Sequence, residues 1–80
     1  WIFKSEKLVN LVPILERRYD VKITFMDSVL VNYKFTGTLN EESLKQVLNA
    51  LTIAAPIRYE VSENNIYMRV DKEQINRYMR

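Results

Sequence analysis

Residues 8–25, LVNLVPILERRYDVKITF, and residues 44–61, LKQVLNALTIAAPIRYEV, superpose without a gap at an offset of 36 residues, and that repeat decides the fold. Leu8 falls on Leu44, Leu11 on Val47, Val12 on Leu48 and Leu15 on Leu51; further on, Val21 falls on Ile57 and Phe25 on Val61. The first four pairs keep the three-and-four spacing that lines one face of a helix. The later pairs lie in short alternating runs, as strands do. A β-like run also precedes each copy, Ile2 to Lys4 and Tyr33 to Thr38, and one follows each helix, Val21 to Phe25 and Ile57 to Val61. The second copy is extended by Ile66 to Val70 across the polar turn SENN, whose asparagines tolerate positive φ.

Two strand-helix-strand units follow from this pattern. Parallel strands joined through a helix cross over in the right-handed sense, so each unit presents its helix to one face of its own strands. One unit cannot bury that face alone. The economical arrangement packs the two units together, helices inside and one small sheet outside each. The expected class is α+β: two repeated β-α-β units with an added C-terminal hairpin strand, and two helices packed between small β-sheets. They form a single domain over residues 1–70, with 71–80 as a tail that forms a short helix or frays.

Local signals refine the plan. The first helix is expected near 6–18, with Ser5 as N-cap and Glu6 in the first turn. Pro13 implies a kink or a later start, since an interior proline costs about 3 kcal/mol. The second helix follows Asn40 as N-cap, with Glu41 and Glu42 at the positive end of its dipole, and Pro56 closes it. Gly37 is the only glycine. It sits between a strand and a helix and is expected to mark a corner, through positive φ or close backbone approach. A phosphate-cradling loop would need several glycines and a lysine, whereas FTGTLNEES offers one glycine followed by acids.

Composition narrows the function. The 80 residues are 48 % hydrophobic and 28 % charged, with 12 basic and 10 acidic side chains interleaved to a formal net charge of +2. That mixture argues against nucleic acid or an anionic membrane as a partner. Cysteine and histidine are both absent, which removes thiolate nucleophiles, the usual zinc ligands and the standard general base. Glu41 with Glu42, and Glu60 with Glu63, read as capping and a solvated turn rather than a catalytic pair, and the serines have no histidine to activate them. The chain is expected to be no enzyme and to carry no cofactor and no metal.

A binding surface remains. If Val21, Ile23 and Phe25 face inward, alternation turns Lys22 and Thr24 outward, and likewise Lys34 with Thr36, Arg58 with Glu60, and Tyr67 with Arg69. Lys22, Lys34, Arg58, Tyr67 and Arg69 are therefore the candidate partner-binding residues, suited to an acidic partner; ordinary solubilising charge on exposed β faces is the competing reading. Free sheet edges offer a second mode, addition of a partner's strand. Arg17-Arg18-Tyr19 at the end of the first helix is a further candidate, although cations there complement the helix dipole and Tyr19 continues the apolar stripe.

The order FKSEKLVNLVPILERRYDVKITF, then YKFTGTLNEESLKQVLNALTIAAPIRYEV, then NNIYM resembles the carboxy-terminal domain of FecR-type transmembrane anti-sigma factors. The resemblance covers about residues 1–70; LERRYDVKI, FTGTL followed by SLKQVLNAL, and IRYEVSENNIYM are its specific parts. It implies a periplasmic domain of a single-pass inner-membrane protein. Such a domain would receive a signal from the signalling domain of an outer-membrane TonB-dependent transporter and relay it to an extracytoplasmic-function sigma factor, bound by a region absent from this chain. The resemblance carries over no catalytic residues, and it implies no nucleic acid and no membrane contact by the domain itself. Two alternatives stand beside it. The related short amino-terminal signalling domain of TonB-dependent transducers and secretins shares the repeated plan, and a small nucleic-acid-binding α/β domain would need a basic aromatic platform.

Overall fold

The computed structural model of the protein describes residues 2–73, so the expected tail over 71–80 falls largely outside the described residues. Along the chain lie β1 (Ile2–Lys7), α1 (Leu8–Tyr19), β2 (Lys22–Phe25), a 3-10 turn (Ser28–Asn32), β3 (Lys34–Thr38), α2 (Leu44–Ala54), β4 (Ile57–Ser62) and β5 (Asn65–Val70). The class is α+β as expected, two helices with two small sheets.

Strand pairing departs from the expected plan. Neither unit keeps its strands together: β1 pairs antiparallel with β3 in a two-stranded sheet, while β2, β5 and β4 form a three-stranded sheet with β5 in the centre. The units interlock: the first gives one strand to each sheet, and the second gives β3 to the ribbon and β4 with β5 to the other sheet. The reason lies in the hairpin. A two-residue turn, Glu63-Asn64, makes β4 and β5 partners at once, Ser62 facing Asn65. The other side of β5 is then free for β2, which docks in parallel with Ile23 beside Ile66. Positive φ in this turn falls on Glu63 (56°), not on an asparagine.

Both helices touch both sheets and bury one stripe each, Leu8, Leu11 and Leu15 from α1 and Val47, Leu48 and Leu51 from α2. They meet Phe3 and Phe35 from one sheet and Ile23, Ile57, Ile66 and Met68 from the other, with Leu30 and Leu39 filling in from the connections. Each such side chain contributes about 1.5–3 kcal/mol. Three leucines on α1 thus outweigh Pro13, which lies inside that helix. The carbonyl deprived by the proline belongs to Val9, on the exposed side of the helix.

The helix starts are corrected in opposite ways. Ser5 does not cap α1; it lies in a bulge of β1 with φ 46°, its N–H donating to Thr36 Oγ1 at 2.9 Å. Helix α1 begins at Leu8 with no side-chain cap, anchored instead by Leu8 N–H donating to the Tyr33 carbonyl at 2.6 Å. At α2 the cap is Ser43, not Asn40. Ser43 Oγ accepts from Gln46 N–H at 3.2 Å while Ser43 N–H donates to Gln46 Oε1 at 2.8 Å, a full capping box. Glu42 precedes the helix and takes the Asn40 N–H on its carboxylate at 2.6 Å.

Gly37 is no corner. It is a β3 residue paired with Phe3, without positive φ. The Phe35 ring folds over it, so that a Cβ there would sit 2.7 Å from Phe35 Cζ, and the same ring tilts against Phe3 at a centroid distance of 6.4 Å. The glycine makes room for a side chain two residues away.

Candidate functional site

Inward residues of the three-stranded sheet are Ile23, Ile57, Ile66 and Met68. Their alternates Lys22, Thr24, Arg58, Glu60, Tyr67 and Arg69 therefore share its outer face. Four of the five expected partner-binding residues, Lys22, Arg58, Tyr67 and Arg69, come together there. Lys34 does not join them: it is exposed, but on β3 of the other sheet, opposite Lys7. Tyr67 and Arg69 are half-buried rather than fully exposed.

Across this face Thr24, Tyr67 and Glu60 form one row, and Arg69 lies directly opposite Arg58 in the next. Two like charges in register repel unless an acid intervenes. Arg58 has no ion pair among the described residues, and Arg69 buries its Nε without a hydrogen-bond partner. A cleft of about 410 Å³ opens here, lined by Met26, Asp27, Arg58, Arg69, Val70 and Lys72. Its single acid is Asp27, whose Oδ2 accepts the Val70 N–H at 2.8 Å. Three cations thus surround an open volume with exposed Met26 at its rim. The arrangement suits an acidic side chain or another anion, held by charge-assisted hydrogen bonds.

Met26 and Lys72 were not among the expected residues. Alternation along β2 reaches Met26 two residues after Thr24, so the sequence held that signal. Lys72 lies past the end of β5, where alternation stops. Val61 was expected inward and is 54 % exposed, because it lies at the hairpin end of an edge strand.

The Arg17-Arg18-Tyr19 stretch serves the fold. Tyr19 Oη donates to the Glu42 carbonyl at 2.7 Å, tying the end of α1 to the start of α2, and the Arg18 guanidinium lies 5.7 Å from the Tyr19 ring centroid. Glu16, on the same helix, escaped sequence reasoning. Its backbone carbonyl accepts from Asp20 and Val21, and its carboxylate accepts the Ile23 N–H at 3.0 Å. Hydrogen bonds from its own N–H and from that of Asn40 hold the Glu42 carboxyl below its ordinary pKa.

No group of histidine, cysteine and acidic residues among the described residues has the geometry of a metal site. No helix among them is long and apolar enough to cross a membrane.

Known proteins agree with this architecture. The sequence pattern of the FecR C-terminal domain (FecR, C-terminal) matches residues 1–68. No curated protein sequence matches significantly. Two crystal structures of a proposed anti-sigma factor from Parabacteroides distasonis ATCC 8503 are similar. One has 28 % sequence identity and a TM-score of 0.76 over 85 % of this chain and 32 % of that one. The other has 27 % identity and a TM-score of 0.78 over 88 % and 33 %. The chain thus spans about a third of the length of those anti-sigma factors. With the match extending from the first strand to the middle of the last, the chain belongs to the FecR C-terminal domain family.

Proposed function

We propose that this domain is the receiving end of a transmembrane relay. It lies in the periplasm as part of a single-pass inner-membrane regulator and docks with the amino-terminal signalling domain of an outer-membrane TonB-dependent transporter. The signal then passes to an extracytoplasmic-function sigma factor held by another part of the parent protein. Membership of a regulatory, anti-sigma-factor family carries this reading. The outer face of the three-stranded sheet supplies the surface, because Lys22, Arg69 and Lys72 form no ion pair among the described residues. Opposed charge would speed encounter and set orientation, and the half-buried Tyr67 between them offers apolar contact.

Calorimetric titration of the domain with signalling domains of transporters encoded near the parent gene tests the reading. Saturable binding to one of them is expected. Lys22→Glu combined with Arg69→Glu is expected to weaken it at least about tenfold and to reduce its salt dependence. Absence of heat with every such domain contradicts the relay, and undiminished binding by the double variant moves the contact off this face.

A further inference from the structure

The two outer edges of the three-stranded sheet are treated differently. Along β2, Lys22 and Met26 donate toward β5, to the carbonyls of Asn64 and Met68, so the Ile23 N–H between them points away from the sheet; the Glu16 carboxylate takes it at 3.0 Å. One N–H of that edge is taken by a side chain. Along β4 the phase is fixed by Asp71 N–H donating to the Pro56 carbonyl at 2.7 Å and by the two-residue turn at the other end. Pro56, Arg58, Glu60 and Ser62 therefore face β5, and Ile57, Tyr59 and Val61 direct their backbone groups outward. Ile57 N–H turns back to the Ala55 carbonyl. The N–H and C=O of Tyr59 and of Val61, and the C=O of Ile57, have no backbone partner among the described residues.

The residues on this open edge are complementary to themselves. Read outward from Tyr59, the stretch IRYEV places Arg58 and Glu60 symmetrically about the centre, with Ile57 and Val61 beyond them. We propose that the β4 edge is a dimer interface, on which β4 of a second copy of this chain pairs antiparallel with Tyr59 on the two-fold axis.

Three features of the fold meet in that register. Tyr59 would exchange two hydrogen bonds with its counterpart, and each Val61 N–H would reach the Ile57 carbonyl across the axis, satisfying every open group named above but the Val61 carbonyl, since the Ile57 N–H opposite it already donates to Ala55. Arg58 would stand opposite Glu60 of the other copy twice, at the positions where antiparallel side chains approach most closely. This sets an acid of the second copy directly opposite Arg58, beside the Arg58 and Arg69 pair. Registers centred on Arg58 or on Glu60 would set like charge against like. The contact would also cover exposed apolar surface, Val61 at 54 % and Ile53 at 84 %. Ile53 lies one helical turn beyond Asn49, whose Oδ1 accepts the Tyr59 hydroxyl at 3.1 Å, on the flank of α2 beside this edge. An isologous pair of this kind closes on itself and abolishes both open edges at once. Lys22 and Tyr67 sit on the strands away from the axis and are not covered in the joined six-stranded sheet.

Sedimentation equilibrium of the 80-residue chain, up to about 1 mM, tests this. Wild type is expected to reach a dimer and no higher species. Arg58→Glu and Glu60→Arg each create two like-charge pairs, and each is expected to raise the dimer dissociation constant about tenfold or more. The double variant Arg58→Glu/Glu60→Arg restores both pairs with reversed sign and is expected to dimerise like wild type. Both side chains are exposed, so circular dichroism should be unchanged throughout. A monomer across the whole range overturns the proposal, as does a dimer that both single variants leave intact or that the double swap fails to rescue.

Discussion

The two sheets are built on different kinds of information. In the three-stranded sheet the local sequence states the pairing: a two-residue turn sets the β4–β5 register, and the six-residue ladder runs unbroken from Ser62 and Asn65 to Ile57 and Val70. In the β1–β3 ribbon nothing local does so. Its register breaks between Phe3 and Glu6, Ser5 takes positive φ, and the bulge is held by Thr36 across the sheet. The helices repeat the contrast, α2 with a complete capping box and α1 with none, its start set by Tyr33 from another element. One half of the domain is specified locally and the other by what it packs against.

The contrast is sharpest within a single cross-strand pair. Ile66 is fully buried on the central strand, and its neighbour Val61 is half exposed on the edge. Ile66→Ala should cost about 2–5 kcal/mol, whereas Val61→Ala should stay within about 0.5 kcal/mol, both read from urea unfolding at low protein concentration. Comparable losses would mean that β5 is not the organising strand.

In the ribbon, Gly37→Ala drives a methyl into Phe35 and should cost about 1–3 kcal/mol. Aromatic proton shifts should show the Phe3 and Phe35 rings moving. A neutral result would mean that the ring yields freely, and that the glycine is not what shapes this sheet.

The guarded edge can be opened. Glu16→Ala leaves the Ile23 N–H without its partner and should cost about 1–3 kcal/mol. The same change should speed hydrogen exchange at Ile23, leaving β4 unaffected. Of the two helix starts, Ser43→Ala should lose about 1 kcal/mol, and Lys7→Ala, which removes no cap, should lose almost nothing.

Smallest is the pH effect at Glu42. Its folded pKa is depressed, so its stabilisation is present above the unfolded value and lost as pH falls through the folded one. Glu42→Gln should therefore differ from wild type at neutral pH and converge with it in acid. A difference that persists at low pH would exclude the carboxylate as the cause.

Much of this was legible in the sequence. The repeat of Leu8 to Leu15 on Leu44 to Leu51 places both helices and their buried stripes, because the 3.6-residue period survives any topology. Beyond the β4–β5 hairpin, which strands would pair was not legible. Alternation gives a strand's two faces but never its neighbour, and the offset repeat suggested a sheet per unit where the hairpin imposed an exchange. The same limit divides the candidate site: Lys22, Arg58, Tyr67 and Arg69 gather because their strands share a sheet, while Lys34 is stranded on the other one. Ser43 with Gln46 carried a readable capping signal, overshadowed by Asn40 three residues earlier. Glu16 carried none, since its role at the β2 edge exists only once α1 and β2 are in place.

Nuclear magnetic resonance mapping of the isotopically labelled domain, titrated with the transporter signalling domain that binds it, locates the receiving surface. The account predicts shift changes concentrated at Lys22 to Met26, Tyr67, Arg69 and Lys72, with the β1–β3 ribbon silent. Changes centred on that ribbon, Lys34 included, would contradict it and place the receiving surface on the other sheet.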